Sequence, residues 1–185
     1  MSLKPLLSLV LAAATLGACS GVHLQSEVAP STYDYQNFTL YHAGRDTLVE
    51  VQGNPFNMNS AVFANAVTDH MQGANFGRPT NFTTTPGPSA ERKMRVVMAF
   101  NSAADSQDLC TAGFQPGAVG RVLSLKATWC FADRADSWVD ATLDGVTSPQ
   151  HPGFHDIIQE VVLNLFPPQM DTETIRDGGG DDIPR

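Results

Sequence analysis

Charge is scarce in this chain, and positive charge is scarcest. Lys and Arg number 11 against 19 Asp and Glu, and charged residues make up 16% of the sequence. The formal net charge is −8, so no basic stripe is available to neutralise phosphates, which argues against nucleic acid as a partner. No apolar run reaches the roughly 18 residues of a membrane-crossing helix. Signatures of chemistry are missing as well. There is no G-x-S-x-G elbow, no P-loop, no G-x-G-x-x-G and no H-E-x-x-H. Nothing therefore signals an enzyme or implies a cofactor. What is present is a hydrophobic content of 42%, too high for a disordered polyampholyte. A length of 185 residues allows one domain with tails.

Met1–Lys4 carries one positive charge and Pro5–Thr15 is apolar, ending in Ala12–Ala14. This reads as a secretory signal, too short for a membrane anchor. Leu16-Gly17-Ala18-Cys19 follows. On these residues the chain resembles bacterial lipoproteins, whose lipobox is a small-residue tetrapeptide ending in Cys. The resemblance covers residues 1–20. It implies a signal peptide over 1–18 and lipidation of Cys19, with two or more acyl chains giving a stable anchor. In that class Asp after the Cys favours inner-membrane retention. Ser20 stands there, which implies the periplasmic face of the outer membrane.

Cys110 and Cys130 remain. In an oxidising compartment an isolated pair reads as one disulfide. Closing a loop of about 20 residues contributes roughly 3 kcal/mol in the chain-entropy model. Their spacing fits neither a C-x-x-C redox motif nor a zinc knuckle.

Residues 19–32 read as a lipidated tether, without apolar periodicity and with Pro30. Residues 169–185 read as an acidic disordered tail, holding Asp171, Glu173, Asp177, Asp181 and Asp182 beside Gly178–Gly180. Residues 33–168 form the predicted domain. Asn37–His42 and Asp46–Gln52 read as strands. A helix is expected over Ser60–Gln72, with Asn59 or Ser60 as N-cap and the stripe Val62, Phe63, Ala66, Val67, Met71. Residues 74–90 read as a long loop. Lys93–Phe100 reads as a central strand, apolar on both faces, and 102–120 as a second loop. Arg121–Phe131 and Ser137–Leu143 alternate and form the clearest hairpin. The last helix covers Phe154–Phe166, with Phe154, Ile157, Ile158, Val161, Val162 and Leu165 on one stripe, and Pro167–Pro168 ending it. The expected fold is α+β in the order β-β-α-β-β-β-α. It is a mostly antiparallel sheet of about five strands with two packed helices and one disulfide, an order similar to that of small periplasmic lipoprotein domains that serve as accessory factors.

Few side chains suggest chemistry. His151, His155 and Asp156 are of metal-ligand type, but Pro152 and Gly153 break the regular helical spacing between the histidines. They read as helix-start chemistry, with Asp156 favoured by the helix dipole. His70 at the end of the first helix reads as structural. Asp133, Asp136, Asp140 and Asp144 read as a solvated hairpin face. Gly53–Asn59 reads as a staple, with Met58 packing on Phe63, ahead of a partner-binding loop. The leading expectation is a non-enzymatic envelope lipoprotein that binds another envelope protein. The alternative is a module binding a small molecule or lipid between loops 74–90 and 101–120.

Overall fold

The structure is a computed structural model that describes residues 21–29, 32–118 and 120–168. The signal peptide, Cys19 and the acidic tail of the sequence reading lie outside the described residues. The chain runs β1 (His23–Val28), α1 (Tyr35–His42), β2 (Asp46–Gln52), α2 (Ser60–Met71), β3 (Asn81–Thr83) and β4 (Met94–Phe100). A short 3-10 turn at Ser106–Asp108 follows, then β5 (Val122–Phe131), β6 (Arg134–Asp144) and α3 (Pro152–Leu165). The class is α+β, with one disulfide between Cys110 and Cys130 and Cα atoms 5.6 Å apart.

The six strands lie in the order β1-β6-β5-β4-β2-β3. β1/β6, β6/β5 and β5/β4 are antiparallel, whereas β2 runs parallel to both β4 and β3. The sheet is thus mixed, with six strands and three helices where five and two were expected. Strand register defines two poles. His23 faces Thr142, Val122 faces Asp144 and Phe100 faces Leu125 at one pole, which also holds the end of β2. Val28 faces Ser137, Phe131 faces Arg134 and Met94 faces Phe131 at the other.

Alternation sorts the two faces. Val49, Val96, Met98, Leu123, Leu125, Ala127, Trp129, Val139 and Ala141 point to one side and join the main core with α2 and α3. The stripe predicted on the last helix is buried throughout. Phe154 stacks on Phe100 with centroids 5.9 Å apart, and Phe63 meets Phe100 edge-on at 4.9 Å. The opposite face is covered by the segment after β4. There Val97, Ala99 and Cys130 pack under Ala104, Leu109 and Cys110 in a second, smaller core. This is why β4 reads as apolar on both faces.

Three segments depart from the sequence reading. Asn37–His42, expected as a strand, belongs to α1. Asp34 caps that helix by accepting from the Gln36 amide at 2.8 Å, and Phe38 and His42 fall one turn apart on its buried face. Residues 23–28, assigned to the tether, form the edge strand β1. Within the expected loop 74–90, Asn81–Thr83 adds a short strand to β2.

Burial of His42 on α1 is complete, and its ring is held by a directed hydrogen-bond chain. Trp129 Nε1–H donates to His42 Nε2 at 3.1 Å. That leaves the proton on Nδ1, which donates to Thr47 Oγ1 at 2.8 Å. Thr47 then donates to Thr80 Oγ1 at 2.6 Å, and Thr80 to the Arg45 carbonyl at 2.9 Å. Every buried donor in the series meets an acceptor, as burial of polar groups requires.

Candidate functional site

On the outer face the smaller core reaches β6 only at Ala135, and beyond it β6 and β1 continue past the 3-10 turn. The side chains that alternate outward there are Trp138 and Asp140 from β6, with Gln25 facing Asp140 and Glu27 facing Trp138 from β1. The 3-10 turn walls the other side. Thr128 on β5 donates to the Ser106 carbonyl at 2.5 Å, and the Ser106 hydroxyl donates to Asp140 Oδ1. Lys126, opposite Asp140 in the register, is turned to the loop instead, donating to the Ala104 carbonyl at 2.6 Å. The result is a groove of about 300 Å³ lined by Gln25, Glu27, Asp105, Ser106, Gln107, Asp108, Trp138 and Asp140.

Four of those eight residues are carboxylates and none is Lys or Arg. The two ion pairs among the described residues, Arg95–Glu50 at 3.0 Å and Arg134–Asp136 at 2.9 Å, lie elsewhere. The groove therefore concentrates negative potential beside an indole ring, a combination suited to cations through Coulomb attraction and cation–π contact.

A second concavity, about 340 Å³, lies at the carboxyl ends of the parallel strands β2 and β4. Its walls are Asn54, Pro55, Asn57, Phe100, Asn101, Phe114, Pro116 and Gly117. Asn57 and Asn101 hold positive φ of 51° and 49°, backbone that is sparsely populated outside glycine. Gly53 enters the turn at φ 79°, and a Cβ there would stand 2.3 Å from the Phe100 carbonyl, so only glycine fits. Asn54 donates to the Met58 carbonyl at 2.6 Å, while its Oδ1 is buried without a hydrogen-bond partner among the described residues. Phe56 meets Phe63 and Phe154 edge-on at 5.8 and 5.4 Å, and Met58 packs against the same core, so it is Phe56 that is seen on Phe63, where the sequence reading named Met58.

The histidines read as weak metal candidates have separate tasks. His151 caps α3, its Nδ1 accepting from the Gly153 amide at 3.1 Å. His155 meets His70 with the two Nδ1 atoms 3.2 Å apart, and His70 Nε2 donates to the Pro149 carbonyl at 3.0 Å. The pair ties the end of α2 to the first turn of α3. Asp156 lines a third concavity with Val22, Leu24, His155, Gln159 and Glu160. Among the described residues no three His, Cys, Asp or Glu side chains are placed to hold a metal ion. The hairpin carboxylates also divide. Asp136, expected in solvent, is buried and paired with Arg134, being the extra residue at the register shift where Trp129 faces Ser137 and Cys130 faces Ala135. Asp140 enters the groove, while Asp133 and Asp144 are exposed.

Among the described residues, loops 74–90 and 101–120 contribute to separate concavities. Thr80 and Asn81 sit with Asp46 at the start of β2, whereas Phe114 and Pro116 sit at the end of β4. Sequence reasoning missed Glu27 and Trp138 as groove residues because it placed no strand at 23–28. The signal was present, since Leu24 and Val28 alternate with His23, Gln25 and Glu27. No protein-family model, curated protein or solved structure matches the chain.

Proposed function

We propose that the protein is a non-enzymatic envelope lipoprotein whose α+β domain binds a Lys- or Arg-bearing segment of another envelope protein in the groove between β1, β6 and the 3-10 turn. The lipobox residues Leu16–Cys19 support the anchor, at the periplasmic face of the outer membrane. The observation that carries the binding role is the set of four groove carboxylates without a Lys or Arg ion pair among the described residues, beside Trp138. Rim charges of this kind steer encounter and select partners of opposite sign. A photo-crosslinking residue placed at Gln107 in the cell tests it. One envelope protein should be captured through a basic segment, and Asp105→Lys with Asp108→Lys should abolish capture. Capture through an uncharged segment, or capture that survives the charge reversal, would overturn the reading.

The second reading is a small-molecule or lipid-binding module. The crevice at the ends of β2 and β4 favours it, since its volume falls within the range of ligand pockets and three amides border apolar walls. Native mass spectrometry of the folded domain would show a retained ligand, lost in Phe114→Ala, if this reading holds.

A further inference from the structure

The two poles of the sheet differ in charge. At the His23 pole the β2–α2 loop (53–59), the return segment 111–118 and the β6–α3 loop (145–151) contain no Asp, Glu, Lys or Arg. At the Phe131 pole the connecting loops carry Arg45, Arg78, Glu91, Arg92, Lys93 and Asp133. Arg121 precedes Val122 and Asp144 faces it, both exposed, whereas the three loops themselves carry no charge on a chain of net charge −8. Two apolar side chains also protrude near it, Phe114 at 42% and Val122 at 49% exposure.

The start of β1 gives that pole a neighbour. His23 opens the strand, four residue steps after Cys19. Four steps span at most about 14 Å. Pairing with β6 fixes His23 at the same pole as Val122 and Phe100. From β1 to β2 the pole is four strand spacings wide, roughly 19 Å. An anchor on Cys19 therefore leaves no room for the domain to stand away from the lipid.

We propose that the His23 pole is seated on the bilayer that holds the chain's own acyl anchor, with Phe114 and Val122 entering the headgroup layer. This rests on the lipoprotein reading above. The interfacial zone is about 5–7 Å deep on each side of the hydrocarbon. Apolar and aromatic side chains gain by entering it, whereas charged side chains lose hydration, so three uncharged loops suit the position. The β1–β6 groove then opens sideways, just above the membrane.

The test uses the full-length lipidated protein in phospholipid vesicles, with benzoylphenylalanine at Phe114, Val122 or Phe131. Phe131 is the control, exposed at 37% and nine residues along β5 from Val122, about 30 Å away. Mass spectrometry reads both the modification of Cys19 and any phospholipid adduct. Acylated Cys19 with adducts at 114 and 122, and loss of the adduct at 131, is the expected result. Acylated protein with equal adducts at all three sites, or with none, overturns the seat and leaves the lipoprotein reading standing. An unmodified Cys19 overturns the lipoprotein reading, and the seat with it.

Discussion

A neutral imidazole at position 42 completes a hydrogen-bond chain that a protonated ring would break, because Trp129 Nε1–H would lose its acceptor. Burial lowers the His42 pKa from 6.5 to about 4. The sign follows directly. Between those values the unfolded chain takes up a proton that the folded chain refuses, so stability is full above pH 6.5 and falls as pH drops towards 4. A shift of that size corresponds to roughly 3 kcal/mol at the acid end. Urea unfolding of the wild type and of His42→Gln, at neutral pH and near pH 4, isolates this contribution. Glutamine can accept from Trp129 and donate to Thr47 without titrating, so the wild type should lose about 3 kcal/mol more than the variant on acidification. Equal losses would show that His42 does not titrate differently in the two states. This network was not legible in the sequence. His42 ends a short segment whose spacing fits helix and strand alike, and Thr47 and Thr80 are 33 residues apart.

At the scale of elements, legibility followed the length of the hydrophobic pattern. β5 and α3 each carry four or more apolar residues at one period and β6 carries Val139, Ala141 and Leu143, and all three were read correctly in type. α1 has eight residues and β3 three, too few for a period to declare itself. β1 was missed because an edge strand buries little, and Ser26 interrupts its apolar side. The groove was hidden with it, since a groove between two strands cannot be read when one is taken for tether. The disulfide, by contrast, was legible from cysteine count alone. Its place on the outer face now gives a localised expectation. Cys110→Ser with Cys130→Ser should cost roughly 3 kcal/mol. Hydrogen exchange should rise over residues 102–118, which pack through the smaller core, and stay slow in α3 and the helix-facing side of β5. Uniform acceleration across both faces would mean that the two cores unfold as one unit.

For the whole molecule, the proposed lipid anchor makes β1 a restraint rather than part of a tether. On the proposed lipoprotein reading, strand pairing that begins at His23 shortens the segment between Cys19 and the fold from thirteen residues, 20–32, to three, Ser20–Val22. A long tether lets a domain search a volume, whereas a short one confines it to a layer beside the membrane. Confinement raises the effective concentration of any partner held in the same layer to the millimolar range. The groove can then work with modest intrinsic affinity, which suits a contact made by rim carboxylates and one aromatic ring rather than by a large apolar patch. The fragment beginning at Ser20 should therefore bind the crosslinked partner about 10²–10⁴-fold more weakly in solution than the lipidated protein binds it on a shared vesicle. Raising the salt should weaken both, because the attraction is between exposed charges. Equilibrium binding of the fragment and of vesicle-borne protein, each at two salt concentrations, separates the contributions. A fragment that bound as tightly as the anchored protein, and without salt dependence, would place the affinity in apolar contact outside the groove and leave the anchor no role in recognition.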